Sequence, residues 1–153
     1  MVRLADLSEG MLGVVNSVAA SPVEPKPWTD VADVSRATVA LVSSAGLGLR
    51  AEPLFRGGEG GYRELPHGAL DSDIVMSHVS VNFDRTGYQL DLETILPRRR
   101  LDDMVKHGKI GAVADTHYSF MGATDPVQME AEAAALAEKL HARGVDAAVL
   151  LPV

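Results

Sequence analysis

The chain contains no cysteine among its 153 residues, and aromatic residues make up only 5% of it. The lack of cysteine excludes disulfides, thiolate metal sites and thiol catalysis within these residues. No apolar run approaches the length of a membrane span. Basic residues are outnumbered by acidic ones, which gives a net charge of −7. We therefore expect neither a nucleic-acid partner nor a membrane partner.

The composition that is present is typical of one globular domain. Hydrophobic residues reach 46% and charged residues 23%, enough for one packed core under an ordinary polar surface. The one basic cluster, Arg98-Arg99-Arg100, is interpreted as a solvated face rather than an anion site. The first ten residues are acidic where a signal peptide needs a positive start and an apolar core, so a cytoplasmic location is expected.

Residues 1–36 are interpreted as an irregular N-terminal arm, and residues 37–153 as a single α/β domain. Within the arm, apolar residues at roughly helical spacing predict a short amphipathic helix: Leu4, Leu7, Met11, Leu12 and Val15. An extended segment follows at Pro22, Pro25 and Pro27. Trp28 is expected to bury its ring against the domain.

Four short apolar runs in the domain predict strands, at residues 38–43, 73–77, 110–114 and 146–151. A helix is expected from Pro97 to Gly108, and a clearer one from the N-cap Asp125 to Gly144. Residues 51–71 are expected to be irregular. Alternating strands and helices predict a three-layer α/β fold, Rossmann-like or flavodoxin-like, with a mostly parallel sheet of about four strands.

Two histidines follow predicted strands, at the sheet edge where parallel α/β proteins bind ligands. His78 comes after the second predicted strand and His117 after the third. An imidazole there can transfer a proton, bind a carboxylate or ligate a metal. Either histidine alone fits a backbone hydrogen bond in a loop equally well, whereas the pair in register makes them candidate catalytic residues.

Other residues at the same edge are candidates for substrate binding: Ser43, Ser44, Asn82, Asp84, Ser119, Phe120, Met121 and Gly122. The aromatic and Met side chains also fit a core that caps the sheet, and the serines also fit a strand end. No metal is expected, because the ligand spacing matches no dedicated site; any site would use His78, Asp84 and His117. The Gly-x-Gly-x-x-Ala pattern at residues 46–51 is not read as a nicotinamide site, because Pro53 prevents a following helix.

Several stretches of the chain then carry a family resemblance, and they run in order from about residue 28 onward. The most specific are Met76-Ser-His-Val-Ser-Val-Asn-Phe-Asp-Arg-Thr-Gly87 and Gly111-Ala-Val-Ala-Asp-Thr-His-Tyr-Ser-Phe-Met-Gly122. Ala40–Gly46, Tyr62–Pro66 and Gly144–Val153 add to them. The chain resembles the glycine/sarcosine/betaine reductase component B (selenoprotein B) family, in particular its short, stand-alone bacterial members.

The resemblance implies reductive chemistry that depends on a selenol or thiol and acts on a small amino-acid-like substrate. In the large family enzymes a selenolate attacks the carbon next to nitrogen and displaces the amine. The implied cofactor is a selenocysteine, in a Cys/Sec-Pro-x-Cys-like segment directly after the position of Val153. His78 and His117 would protonate the leaving amine or hold the substrate carboxylate.

The sequence stops where that nucleophile is expected. We therefore expect a gene that continues in frame through a selenocysteine codon, a chain inactive as written, and a homo-oligomer that covers apolar surface beside the last strand. Two alternatives stay open. One is a non-catalytic binding module for a small carboxylate or amino-acid-like ligand, and the other is a subunit of a multi-component reductase.

Overall fold

The computed structural model describes residues 4–17, 29–31, 33–80 and 83–153. The predicted extended segment with Pro22, Pro25, Pro27 and Trp28 lies outside the described residues, as does Asn82. The chain divides into two compact units, Met1–Asp30 and Val31–Val153. In the first unit a 3-10 turn at Leu4–Asp6 precedes helix α1, Glu9–Ser17, which confirms the short helix predicted there.

The described residues of the second unit form seven strands. They are β1 (Thr38–Ser43), β2 (Leu47–Leu49), β3 (Tyr62–Pro66), β4 (Ile74–Met76), β5 (Ala112–Val113), β6 (Thr116–Phe120) and β7 (Ala147–Leu151). Strand β1 is central in the main sheet. Parallel β7 lies along one side of it, while β5 and then β6 lie parallel along the other. Strand β3 pairs antiparallel with β6 and forms the far edge.

The second predicted strand does form, but its place in the main sheet was predicted wrongly. Strand β4 pairs antiparallel with β2 in a separate two-stranded sheet, with Leu47 opposite Met76. The glycine pattern at residues 46–51 therefore contains a strand and a turn, without the helix start that a pyrophosphate needs. A short run of this kind predicts a strand, but it does not distinguish a strand of this small sheet from a central strand of the main sheet.

Two strands of the main sheet were missed by sequence reasoning, in addition to β2 of the small sheet. Residues 62–66 were expected to be irregular, and residues 116–120 were expected to be a loop after the third strand. They form β3 and β6, which pair along five positions from Tyr62–Phe120 to Pro66–Thr116. Polar residues and a proline hide the strand pattern, because their hydrogen bonds are satisfied by partners that are distant in sequence.

Helices cover both faces of the main sheet, so the predicted three-layer, mostly parallel α/β fold is confirmed. The helices of this unit are α2 (Thr86–Leu90), α3 (Arg98–Lys106) and α4 (Pro126–Ala142), with 3-10 turns at Val34–Arg36, Asp71–Asp73 and Leu92–Thr94. On one face, Val39 and Leu41 pack with Leu101 of α3. On the other face, Val42 packs with Leu136 of α4.

The boundaries of α4 follow the predicted capping residues. The Asp125 carboxylate accepts a hydrogen bond from the Val127 amide, and Pro126 occupies the first turn. Gly144 adopts φ 70°, which a glycine tolerates without strain, and the chain then turns into β7. No helix in the described ranges is both long and apolar enough to cross a membrane.

The interpretation of Arg98-Arg99-Arg100 as a solvated face is wrong for its first member. The Arg98 residue is only 5% exposed. Its Nη1 donates to the carbonyls of Pro66, His67 and Ala69, and its Nη2 donates to Asp71 at 2.5 Å. Arg98 therefore fixes the loop after β3 from inside.

Candidate functional site

Ser44 joins the carboxyl ends of three strands. Its amide donates to the Leu151 carbonyl at 3.1 Å, and its own carbonyl accepts from the Gly122 amide at 2.8 Å. Its hydroxyl accepts from the Val153 amide at 2.9 Å. A Cβ on Gly122 would lie 2.7 Å from the Ser44 carbonyl oxygen, so only glycine fits there. The ends of β1, β6 and β7 thus meet around one serine.

Two other predicted ligand-binding residues are buried at the same end of the sheet, and their hydroxyls bond to the backbone. The Ser43 hydroxyl accepts from the Ala45 amide at 3.2 Å, and the Ser119 hydroxyl accepts from the Leu47 amide at 2.9 Å. Both residues are at most 1% exposed. These bonds hold the turn from β1 into β2, which is the strand-end alternative that the sequence left open for the serines.

His78 lies just beyond β4, against that turn. Its ring stacks on Phe83 with centroids 4.7 Å apart, and the residue is 7% exposed. Its Nδ1 accepts a hydrogen bond from the Ser80 amide, which leaves the ring proton on Nε2. Nε2 is buried and has no hydrogen-bond partner among the residues that the structure describes. His78 therefore presents a desolvated N–H donor that no described residue accepts from.

The surroundings of His78 favour its neutral form. Desolvation lowers the pKa of His78 below its usual value, and the positive charge of Arg85 lowers it further. The Arg85 guanidinium donates to the carbonyls of His78 and Ser80 at 2.7 and 3.2 Å. The same arginine therefore fixes the backbone that carries the imidazole. We call the group of Ser44, Gly46, His78, Met121 and Gly122 the carboxyl-edge site.

His117 lies elsewhere, inside β6, and is fully buried. Its Nδ1 accepts from the Leu41 amide at 3.1 Å, and its Nε2 lies 3.0 Å from Nδ1 of His67. Nε2 of His67 lies in turn 3.0 Å from the Asp102 carboxylate. We call His117, His67 and Asp102 the histidine relay. Burial, with a contribution from His67, lowers the pKa of His117 to about 4, so its ring is neutral at pH 7.

A family model matches residues 60–152, which is more than half of the chain: glycine/sarcosine/betaine reductase selenoprotein B. The chain belongs to the selenoprotein B family. Comparisons with curated proteins and with solved structures give no significant match. The match includes the whole histidine relay as well as His78, Met121 and Gly122, and membership gives this chain a reductase-related role.

The expectation that His78 and His117 end equivalent strands in register is wrong for this selenoprotein B family member. His117 contacts Leu41 within the sheet, whereas His78 lies beside Gly46, beyond the end of β1. Met121, whose sulfur accepts from the amide of Val79 next to His78 at 3.5 Å, is four residues beyond His117, or roughly 13 Å of extended chain. The two imidazoles belong to separate sites, and their catalytic roles stay predictions.

The remaining predicted residues lie in the core or at the start of a helix. Phe120 and Met121 are buried at 8% and 0% exposure, which matches the core alternative for these side chains. Asp84 accepts from the Thr86 amide at the start of α2. The conditional ligand set of His78, Asp84 and His117 is not assembled, and no group of three or more possible His or carboxylate metal ligands occurs within the described residues.

Three polar residues at the relay were missed by sequence reasoning: His67, Arg98 and Asp102. His67 follows the proline that ends β3, and Asp102 lies on α3, 35 residues further along the chain. The only signal was the His-Gly pair directly after Pro66, which is typical of an exposed turn. Recognition of the relay required the pairing of β3 with β6, which brings His67 beside His117.

Proposed function

We propose that this chain is a selenoprotein B-like reductase subunit that holds a small amino-acid-like substrate at the carboxyl-edge site. The observation that carries the proposal is the buried Nε2–H of His78, which lacks an acceptor among the described residues. A buried unpaired donor costs about 1–3 kcal/mol, and a ligand carboxylate oxygen would remove that cost. Binding sites in parallel α/β sheets occur at this same edge.

The proposal gives His78 a binding role. Its lowered pKa makes the imidazole neutral at pH 7. The neutral ring donates a hydrogen bond from Nε2–H to the ligand and keeps that proton. In the reaction that the family resemblance implies, a selenium–carbon bond forms and the carbon–nitrogen bond breaks. The amine leaves with the electron pair of that bond and takes its proton from solvent. His78 would hold the substrate carboxylate throughout this step.

The reacting selenol or thiol must come from outside the 153 residues, because they contain no cysteine. We propose that it comes from chain encoded in frame after Val153, or from another component of a multi-component reductase. The Val153 amide bonds to Ser44, so a segment that continued from Val153 would begin beside the carboxyl-edge site. Such chemistry needs a reducing compartment, and we propose the cytoplasm.

His78→Phe is expected to weaken binding of glycine, sarcosine, betaine or D-proline by at least about tenfold, because the N–H donor is lost. The same change is expected to shift the melting temperature only slightly, because it retains an aromatic ring over Phe83 and removes the Nε2–H donor, while the Ser80 amide loses its bond to Nδ1. Calorimetry and thermal unfolding measure both effects.

His141→Gln is the matched control, because His141 is exposed on α4 and outside the site. Equal affinities of the His78→Phe and His141→Gln proteins would contradict the proposal, as would an unmodified chain that binds none of the four compounds. The absence of cysteine favours a second candidate, a binding module without turnover. Thiol-dependent reduction by the chain with a cysteine- or selenocysteine-containing segment joined after Val153 would exclude that candidate.

We also propose that the chain self-associates through β7. This strand pairs with β1 on one side only, and no described strand pairs with its other side. It carries no charge, and Val149 and Leu150 are 40% and 57% exposed. In an antiparallel pair centred on Val149, Ala148 lies opposite Leu150 and Ala147 opposite Leu151 of the second copy. Leu150 and Leu151 thus each meet an alanine, Val149 meets the Val149 of the second copy, and two sheets become one.

Val149→Lys is expected to convert a dimer to a monomer, because two ammonium groups would oppose each other at the centre of the new strand pair. Val127→Lys, which changes a 64% exposed valine on α4, is expected to leave the dimer intact. Sedimentation velocity measures both. A monomeric unmodified chain at micromolar concentration would overturn this proposal, as would equal dissociation of the two variants.

A further inference from the structure

The histidine relay has only one arrangement of protons that satisfies all of its hydrogen bonds at neutral pH. The Leu41 amide donates to Nδ1 of His117, so that nitrogen carries no proton. The neutral ring then has its proton on Nε2, which donates to Nδ1 of His67. The remaining proton of His67 is on Nε2 and points to the Asp102 carboxylate. Every bond thus runs in one direction, from a buried backbone amide to a partly exposed carboxylate.

The relay bridges a β-strand, a loop and a helix. His117 lies in β6, His67 follows β3, and Asp102 lies on α3. The His67 side chain is 26% exposed and that of Asp102 is 43% exposed, whereas His117 is inaccessible. Solvent therefore has access to the His67 ring but not to the His117 ring. The pKa of His117, lowered to about 4 by burial, also leaves its ring neutral in mild acid.

Three charged residues and one imidazole ring lie around the His67 side chain. Asp102 on α3 lies 3.0 Å from Nε2 of His67, and the Asp115 backbone carbonyl accepts from the His67 amide at 2.8 Å. The Arg98 guanidinium on α3 donates to the His67 carbonyl at 2.7 Å. The centroid of the His117 ring lies 5.2 Å from that of the His67 ring, and the two rings are nearly perpendicular.

We propose that the relay is a pH-operated latch, in which protonation of His67 breaks its hydrogen bond to His117 and releases the His67 ring from β6. A protonated His67 carries N–H groups on both nitrogens, so its Nδ1–H would point at the Nε2–H of His117. His117 cannot change tautomer to relieve this, because the Leu41 amide occupies Nδ1. Two donors then face each other at 3.0 Å. Rotation of the His67 side chain toward Asp102 and solvent removes the conflict.

The latch controls a defined segment. Arg98 continues to hold the backbone of Pro66, His67 and Ala69, so the loop stays attached to α3 when the ring leaves. The contact that opens is the one between the His67 ring and the His117 ring of β6. The inference does not depend on the carboxyl-edge site, because the relay shares no residue with it.

The latch is tested by nitrogen-15 NMR of the imidazoles in the intact chain. At pH 7.5 we expect His117 protonated on Nε2 and bare on Nδ1, with a slowly exchanging Nε2–H. Acidification to about pH 5 is expected to speed exchange of that proton at least tenfold, because its acceptor is lost. The Leu41 amide is expected to remain protected. A His117 proton on Nδ1, or an exchange rate unchanged by pH, would overturn the proposal.

His67→Gln provides a non-titrating loop side chain, and exchange of the His117 Nε2–H is then expected to lose its pH dependence over this range. His107→Gln is the matched control, because His107 also lies near α3 but is exposed, and its ring bonds to the Asp103 backbone carbonyl rather than to the relay. Its pH dependence should equal that of the unmodified chain. Equal pH dependence in His67→Gln and His107→Gln would contradict the latch. If His67→Gln does not fold, the tautomer and exchange rates of the unmodified chain decide alone.

Discussion

Arg98→Met is expected to lower the free energy of unfolding by about 3 kcal/mol, because each hydrogen bond from a charged group is worth about 1.5–3 kcal/mol and several are lost together. The guanidinium of Arg98 donates to three loop carbonyls and to Asp71. A methionine of similar length fills the space but leaves these acceptors without their donor. Equilibrium unfolding in urea, with the denaturant dependence compared between variants, measures the loss.

Arg100→Met is the matched control, since Arg100 is exposed two residues further along the same helix. It is expected to change the free energy of unfolding by less than about 0.5 kcal/mol. Arg98→Lys is expected to recover only part of the loss, because one ammonium cannot replace a planar fork that serves four acceptors. If the two methionine variants unfold at the same urea concentration, the buried guanidinium does not stabilise the loop after β3.

Asp71 also contributes to the expected difference in unfolding free energy between Arg98→Met and Arg100→Met. Burial raises the pKa of Asp71, but hydrogen bonds from Arg99 and Arg98 outweigh it and hold the pKa below its usual value. Arg99 reaches the second carboxylate oxygen at 2.8 Å from an exposed position. An exposed pair of this kind contributes little by itself. Most of the expected effect therefore comes from the buried guanidinium and the loop carbonyls.

Acidification from pH 6.5 to 4.5 is expected to destabilise the fold, with His117 as the main source. Its pKa falls from 6.5 to about 4 because the ring is buried, with His67 adding to the effect. Between those values the unfolded chain binds a proton at this position and the folded chain does not, so unfolding becomes easier as the pH falls. The full difference corresponds to about 3 kcal/mol, and none of it is lost above pH 7.

The contribution of His117 can be separated from that of other groups by comparing how steeply the free energy of unfolding changes with pH in different variants. His78 also has a lowered pKa and adds to the loss in the same direction. Glu64, whose pKa is lowered chiefly by its hydrogen bond to Lys139, loses its contribution only below the usual carboxylate range. His117→Gln should therefore reduce the slope of unfolding free energy against pH in this window, and His141→Gln should not. Parallel slopes in the two variants would refute the assignment.

Part of the fold was predicted from local sequence signals alone. The N-cap Asp125, Pro126 in the first turn and Gly144 after the last turn define α4 without reference to the rest of the molecule. The apolar run of β1 predicts a strand covered on both faces, and its residues pack against two separate clusters. In each case the physical cause lies within a few residues, so spacing along the chain is sufficient.

Strands β3 and β6 depend on distant partners, and local signals predict them poorly. Glu64 in β3 pairs with Lys139 and Arg143 of α4 and its end, 75 and 79 residues away. Ser119 in β6 bonds to the Leu47 amide, 72 residues away. Polar residues of this kind predict a loop when the sequence is considered alone. They occur in a buried strand because hydrogen bonds to distant residues offset the cost of burying them.

The sequence by itself determined the α/β class, the central and last strands, the long helix and the family to which the chain belongs. Only the tertiary structure decided which polar groups meet: it placed His67 beside His117, Asp102 beside His67, and Arg98 inside the loop rather than in solvent. The physical reason is that periodicity records which face of an element is buried. Which side chains then share that interior depends on strand order and on contacts across 35 to 50 residues of chain.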